Sequence, residues 1–161
     1  RVLPVEYGGG QEKAVRPGTE AVPAIAGMGA ALTMVKEHRA AIMQNYRERN
    51  GQLRLLLKDI PGAVINSPEN GCPHILNFSF PGIPSEVMLH ALEEKGVYVS
   101  SGSACSKGAL SGVLKAFHLP DERVRSALRV SFSRETTAAE IEAFAEALRE
   151  VTGHLSAVVN G

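Results

Sequence analysis

The chain has few cysteines, no excess of charge of either sign and no long apolar segment. Its 161 residues contain two cysteines, and seventeen basic residues balance seventeen acidic ones. This balance argues against nucleic acid or an anionic membrane surface as a partner, because both bind through clustered positive charge. No apolar run approaches the length of a membrane span. Two thiols are too few for a disulfide framework, so cysteine usage favours the reducing cytoplasm.

Several familiar motifs are missing as well. The five histidines are scattered and no pair has the spacing of metal ligands on a helix, so no metal site is expected. Neither a Walker sequence nor a dinucleotide-binding glycine pattern occurs. The sequence starts at Arg1 without a charged-then-apolar leader. We therefore expect either a processed chain or a piece of a longer one.

What the chain does contain is a mixture of helical and strand patterns. Apolar residues after Thr19 recur at three-to-four spacing and predict a long helix. Thr137 and Glu140 form a capping box that predicts the start of a last helix. Between these helices we predict strands at 63–65, 74–80, 97–99 and 127–132, a helix at 85–95 capped by Ser85, and a helix at 110–117. This order predicts an α/β fold in two layers, a small sheet covered on one face by helices.

Cys105 stands in an unusual context for a cysteine. Residues 100–108 read Ser-Ser-Gly-Ser-Ala-Cys-Ser-Lys-Gly, so no bulky neighbour is present to bury the thiol. An exposed, ionised thiol is reactive, and Lys107 would help to ionise a group whose ordinary pKa is about 8.5. This pattern fits a nucleophile, although an unreactive free cysteine in a loop has the same pattern. Cys72, which precedes Pro73, is interpreted as structural.

Arg129 is a candidate for binding an anion. It lies between Leu128 and Val130 in a predicted strand, so alternation places it on the opposite face from both neighbours. A guanidinium in that position can hold a carboxylate by two parallel hydrogen bonds. The alternative is an edge-strand arginine that faces solvent. Three nearby arginines could also take its place in a basic site, namely Arg123, Arg125 and Arg134.

A glycine-rich segment precedes the long helix. Gly8, Gly9 and Gly10 predict a loop, and Gly18 and Thr19 stand at the expected start of the helix. Free backbone N–H groups at such a start favour a phosphate group. The alternative is a turn in which Thr19 simply caps the helix.

Three segments together resemble one family. In order and spacing, residues 8–20, 100–105 and 128–137 are similar to the glycine loop, the catalytic cysteine loop and the substrate-binding strand of the cysteine desulfurases of the NifS/IscS type. These are pyridoxal-phosphate-dependent enzymes of the class V aminotransferase family. The cysteine loop is the most specific of the three, and it resembles the first group of these enzymes, which has a long mobile loop. The likeness runs essentially the whole length of the chain.

The resemblance implies a domain organisation and an architecture. The chain would be the C-terminal part of such an enzyme, in which residues 1–20 are the tail end of the large cofactor-binding domain and residues 21–161 are the small domain. That small domain would have the form found in fold-type I pyridoxal-phosphate enzymes, a mostly antiparallel sheet covered by helices.

The resemblance also implies a role for each candidate residue. Cys105 would take sulfur from the substrate L-cysteine and become a persulfide while L-alanine is released. Arg129 would bind the substrate carboxylate. Thr19 would reach across a homodimer to the cofactor phosphate of the other subunit. The sulfur would pass to an iron–sulfur scaffold protein or another acceptor in the cytoplasm.

The chain departs from the family pattern at the cofactor-binding residues, which lie upstream, and at Ser133. The lysine that carries pyridoxal phosphate lies upstream of the glycine loop, and none of the six lysines present has its context, so this chain alone is expected to be inactive. Ser133 stands where a glycine is usual. Two alternatives stay open: a selenocysteine lyase or another class V lyase, and a non-catalytic α/β sulfur-carrier or binding domain.

Overall fold

The computed structural model describes residues 3–101 and 111–159, with side chains up to residue 155. In this part of the chain the helices are α1 (Val22–Lys58), α2 (Ser85–Glu93), α3 (Gly112–Ala116), α4 (Asp121–Arg125) and α5 (Ala138–Val159). The strands are β1 (Val64–Ile65), β2 (Ile75–Ser79), β3 (Ser100–Ser101) and β4 (Ala127–Ser131). A short 3-10 turn at Gln11–Ala14 precedes α1.

The chain divides into two compact units, residues 1–39 and residues 40–161. The division predicted from the family resemblance, with a boundary between residues 20 and 21, is a statement about a larger enzyme and stays a prediction. Unit 1 contains the glycine-rich segment and the first part of α1. Unit 2 contains the whole sheet and its helices.

The sheet of unit 2 is small and antiparallel throughout. Its strands lie in the order β1-β2-β4-β3, and each neighbouring pair is antiparallel. Strands β2 and β4 form its centre, where Phe78 is paired with Leu128 and Asn77 with Arg129. The predicted fold class, an α/β layer structure with a mostly antiparallel sheet, is confirmed.

One face of the sheet carries the hydrophobic core. Phe78 and Leu128 are fully buried there, and they belong to a cluster to which α1, α2 and α5 contribute. The helical members of this cluster that are buried are Leu53, Leu57, Met88, Leu92, Ile141, Phe144, Leu148 and Val151. A fully buried leucine is worth about 2–5 kcal/mol against alanine in such a core. Burial on this side therefore sets which residues point to the opposite face.

The opposite face is only partly covered. The short helices α3 and α4 bury Leu114 and Val124 against Ala127, at one end of β4. The described residues leave the rest of this face uncovered, and the candidate site described below lies on it. None of the helices in residues 3–101 and 111–159 combines the length and the apolarity that a bilayer crossing requires.

Several element boundaries differ from the sequence prediction. The edge strand β3 is Ser100–Ser101 rather than 97–99, because Ser100 pairs with Arg129 and Ser101 pairs with Leu128. Ser85 does not cap α2: it is buried and is the first residue of the helix, after Pro84. Helix α4, which follows Pro120, was not predicted because its five residues are too few for a periodic pattern.

Two local signals act as predicted. The backbone N–H and the hydroxyl of Thr137 both donate to Glu140 Oε2, and Thr137 Oγ1 accepts from the Glu140 N–H. This reciprocal arrangement is a capping box, and α5 begins beside it. Gly96, predicted to end α2, has a φ of 73°, a left-handed conformation that glycine adopts without strain.

Candidate functional site

The site is built on the open face of the sheet, around Arg129. Leu128 and Val130 are buried on the core face, whereas Arg129 between them is exposed. The alternation predicted for this strand is therefore confirmed. A strand that alternates in this way holds the arginine backbone firmly, since its two neighbours are locked in the core.

Two strand neighbours flank Arg129. Asn77 of β2 is its partner on one side, and Ser100 of β3 is its partner on the other. Residues that are paired directly across strands share a face and have Cβ atoms about 5 Å apart. Asn77, Arg129 and Ser100 therefore form a polar row across the open face.

A cleft of about 270 Å³ opens beside this row. Its apolar wall comes from Ile75, Leu114, Phe117 and Leu119, and its polar wall comes from Asn66, Ser67, Asn77 and Ser111. Arg129 is the one charged residue among the described residues that line the cleft. The cleft thus presents one positive charge, two side-chain amides and hydroxyl groups to a small ligand.

The Arg129 guanidinium has neither an ion pair nor a hydrogen bond to any of the described residues. A guanidinium offers five N–H donors in a fixed fork, which matches the two oxygens of a carboxylate. The arrangement can bind an anionic group in the cleft. Its chemistry is recognition rather than proton transfer, because a guanidinium does not lose its proton in proteins.

The other arginines named as possible substitutes lie elsewhere. Arg123 donates to Asn66 Oδ1 and to the Ile65 carbonyl, and Arg134 pairs with Glu135. Arg125 lies beside Glu122 and Pro84 in a separate surface hollow. None of the three is among the residues that line the Arg129 cleft.

Cys105 lies outside the described residues, as does Lys107. The two ends of the segment that contains them are described, and both meet the site. Ser100, one residue before the last described residue on that side, is the strand partner of Arg129. On the other side, Ser111 lines the cleft and caps α3 by accepting from the Leu114 N–H at 3.4 Å. One end of the segment therefore lies beside Arg129 in the sheet, and the other end lies at the cleft.

Thr19, the third predicted site residue, lies in unit 1. It is exposed, and in the described part of the chain its hydroxyl makes no hydrogen bond. Helix α1 begins three residues later at Val22, so Thr19 does not cap it through its side chain. Gly18 has a φ of 114°, and its N–H donates to Gln11 Oε1 at 3.4 Å.

Cys72, which was predicted to be structural, lies at the surface beside a histidine. The residue is exposed, and its Sγ lies 3.1 Å from His74 Nδ1. The interpretation of Cys72 as a structural residue stays a prediction. In the described part of the chain no group of three or more histidine, cysteine, aspartate or glutamate side chains is arranged to hold a metal ion.

Sequence reasoning missed the polar wall of the cleft. Asn77 alternates with Leu76 and Phe78, so the sequence already implied that it faces away from the core. Its pairing with Arg129 was not visible, because the register of two strands far apart in the chain depends on their tertiary packing. Asn66 and Ser111 lie in loops, for which no periodic signal exists.

The chain matches a known family over most of its length. The model of the family described as aminotransferase class-V matches residues 4–144. The chain belongs to the class-V aminotransferase family.

Individual relatives and solved structures narrow this likeness. The chain is 41% identical over 152 residues to "Cysteine desulfurase IscS" of Escherichia coli (strain K12 / DH10B), which covers 92% of this chain and 37% of that protein. A solved structure of a NifS-like protein has a TM-score of 0.84 at 28% identity, covering 94% of this chain and 39% of the other. The solved structure of a NifS-like protein from Rickettsia africae ESF-5 has a TM-score of 0.84 at 31% identity. This match covers 95% of this chain and 41% of the other. The predicted resemblance to NifS/IscS proteins is confirmed, and the chain spans well under half the length of these relatives.

Proposed function

We propose that this chain works as the C-terminal part of a pyridoxal-phosphate-dependent cysteine desulfurase, which converts L-cysteine to L-alanine and a cysteine persulfide. The observation that carries the proposal is Arg129, which has no partner among the described residues and lies between Ser100, its strand partner before the Cys105 segment, and Ser111, which lines the cleft after it. The similarity to proteins named IscS supports the same activity and favours it over the selenocysteine lyase and the non-catalytic carrier.

Arg129 binds the carboxylate of the substrate. The cleft is small enough to suit an amino acid, and its one described charge has the sign that a carboxylate requires. A guanidinium and a carboxylate can form two parallel charge-assisted hydrogen bonds, which are stronger than hydrogen bonds between neutral groups. Arg129 thereby determines which end of the amino acid enters the cleft first. The substrate thiol then stays free to turn towards the nucleophile.

Cys105 is the nucleophile. Its thiol first loses a proton, and its thiolate then attacks the substrate sulfur. A sulfur–sulfur bond forms as the carbon–sulfur bond breaks, and the electron pair of that bond stays with carbon and takes up a proton. The products are L-alanine and the Cys105 persulfide, so no outside oxidant is needed. A later thiol acceptor removes the outer sulfur from Cys105.

The described residues fit the cofactor at its phosphate group. The Thr19 hydroxyl is exposed without a hydrogen bond in this part of the chain, ahead of the first turn of α1. A hydroxyl and free N–H groups at a helix start suit a phosphate, and Thr19 would serve the cofactor of the other subunit in a homodimer. When bound, pyridoxal phosphate acts as an electron sink that stabilises charge on the substrate carbon. The lysine that holds it would come from sequence outside this chain.

Unit 1 supports the proposed domain organisation. Along α1 the apolar side chains Val22, Ile25, Met28, Leu32 and Val35 recur at helical spacing, and all of them are exposed. A stripe of this length is unusual on the surface of an isolated protein and indicates contact with another surface. We infer that it packs against the large cofactor domain, together with residues 1–20 as the tail end of that domain.

The remaining parts of the proposal concern partners and location. The sulfur acceptor is an iron–sulfur scaffold protein or another thiol carrier, and the enzyme acts in the cytoplasm as a homodimer. Two cysteines, of which the described Cys72 is a free thiol, suit a reducing compartment. The balanced charge offers no case for nucleic acid or a membrane as a partner.

The decisive experiment measures sulfur on Cys105. The complete enzyme is incubated with L-cysteine in the absence of acceptor, and peptide mass spectrometry is used to locate an added sulfur atom. We expect the addition on Cys105 together with one L-alanine released per sulfur bound. Cys105→Ser should abolish both while the cofactor absorbance is retained, and Cys72→Ser is the matched control. Sulfur transfer that persists in Cys105→Ser would refute the assignment.

A further inference from the structure

A chain of hydrogen bonds orients the amide of Asn77. It begins at Arg123, whose Nε donates to Asn66 Oδ1 at 3.1 Å. Arginine can only donate, so this contact identifies the accepting oxygen of Asn66. The Asn66 Nδ2 group must then face the other way, towards β2.

Asn66 Nδ2 donates to two groups on β2. It lies 2.7 Å from Asn77 Oδ1 and 2.7 Å from Ser79 Oγ. The Ser79 hydroxyl in turn donates to the Arg123 carbonyl at 2.7 Å, so its oxygen is free to accept. Two groups determine which atoms donate and which accept in this network. The Arg123 guanidinium can only donate, and the Arg123 carbonyl can only accept. The network therefore fixes Asn77 with its oxygen towards Asn66.

The Nδ2 group of Asn77 makes no hydrogen bond within this network. Asn77 is half-buried and lines the cleft, and in the described part of the chain its Nδ2 donates no hydrogen bond. Its strand partner on the same face is Arg129, with Cβ atoms about 5 Å apart. Two sets of N–H donors therefore lie side by side at the polar wall, and neither has a partner among the described residues.

We propose that Asn77 Nδ2 is a second donor to the ligand carboxylate that Arg129 binds, and that Asn66 and Arg123 are positioning residues that keep its N–H groups turned towards the cleft. The identity of the ligand as an amino acid rests on the proposed function. The position of the Asn77 and Arg129 donors side by side does not depend on it. A reversed Asn77 amide would direct its oxygen at the carboxylate and repel it. The network therefore makes the cleft selective for a carboxylate over a neutral or cationic group.

The experiment compares a ligand that has a carboxylate with one that lacks it. In the complete enzyme, the KM for L-cysteine and the inhibition constants of L-alanine and ethylamine are measured for the wild type, Asn77→Ala and Asn77→Asp. We expect Asn77→Ala to raise the KM and the L-alanine constant about tenfold, as for loss of a hydrogen bond to a charged group. Asn77→Asp, which is nearly isosteric, should raise them further by charge repulsion. The ethylamine constant should not change.

Two further variants separate positioning from folding. Asn66→Asp keeps an acceptor for Arg123 but has no donor for Asn77, so we expect a smaller rise in the same two constants. Ser131→Ala is the matched control, because Ser131 is exposed on β4 and does not line the cleft. Equal changes for L-alanine and ethylamine, or no change in Asn77→Ala, would overturn the proposal.

A binding measurement keeps the proposal testable if the enzyme proves not to act on cysteine. The side-chain amide resonances of Asn77 are followed by NMR in this chain while L-alanine or ethylamine is added. We expect a shift with L-alanine alone, lost in Arg129→Ala. Turnover without this shift would contradict the role of Asn77, whereas the shift without turnover would support the donor pair and refute only the desulfurase activity.

Discussion

Asn77 and Arg129 are paired directly across β2 and β4, on the face of the sheet that the core leaves open. Their flanking residues, Phe78 and Leu128, are also paired, and both are fully buried on the other face. The same register that packs the core therefore brings the amide and the guanidinium together. The placement of these two polar groups side by side is therefore a consequence of how the two strands pack.

The first prediction concerns the forked hydrogen-bond donors of the Arg129 guanidinium. Arg129→Lys keeps the charge but loses the forked donors, so we expect the KM for L-cysteine in the complete enzyme to rise about ten- to a hundredfold. Arg129→Ala should raise it further. Steady-state kinetics measures both. Arg125→Lys is the matched control, since Arg125 is exposed and lies outside the cleft; an unchanged KM in Arg129→Lys would exclude bidentate binding.

The second prediction concerns the cofactor. None of the six lysines has the family's context, so this 161-residue chain by itself should not bind pyridoxal phosphate covalently. After incubation and gel filtration, we expect no visible absorbance from the cofactor on the chain. A complete NifS-like relative, treated in parallel, is the positive control. A band that survives filtration and disappears with borohydride would show that a lysine of this chain takes the role.

The third prediction concerns the core beneath the site. Leu128 is fully buried next to Arg129, and Leu128→Ala should lower the free energy of unfolding by about 2–5 kcal/mol through lost burial and the cavity left behind. Denaturant unfolding of the chain measures this. Val113→Ala, at a residue that is 67% exposed, should change it by no more than about 0.5 kcal/mol. Equal effects at the two sites would mean that β4 is not packed as described.

The fourth prediction concerns the start of α5. The Thr137 backbone N–H and hydroxyl lower the pKa of Glu140, because both donate to its carboxylate. A lowered pKa in the folded state means that the ionised group adds stability above the pKa of the unfolded chain, and that this stability is lost as the pH falls through the folded value. The difference in Tm between wild type and Glu140→Ala should therefore be present at neutral pH and shrink below about pH 4.

The control for this measurement is Glu146→Ala. Glu146 is exposed on the same helix, and its side chain makes no hydrogen bond to the described residues. Its replacement should leave the pH dependence of Tm unchanged. A difference that grows towards acidic pH in Glu140→Ala would mean that the capping box does not form in solution.

Much of the fold could be predicted from local patterns. Periodicity correctly predicted the long helix and the two strands around Phe78 and Leu128. The Thr137 and Glu140 motif correctly predicted the capping box. Edge elements were less predictable: β3 lies later than expected and α4 was missed. Both are short, so their positions depend on what they pack against rather than on a repeating pattern.

The candidate site divides in the same way. The sequence alone identified Arg129 as the residue that faces away from its buried neighbours, and its likeness to cysteine desulfurases suggested a carboxylate as the ligand. It did not reveal Asn77 beside Arg129, the orientation of the Asn77 amide through Asn66 and Arg123, or the closing of the cleft by α3. Alternation is a property of one strand and can be read locally. Register, cleft walls and hydrogen-bond polarity join residues that are distant in the chain, so they exist only after the core has packed and brought those residues into contact.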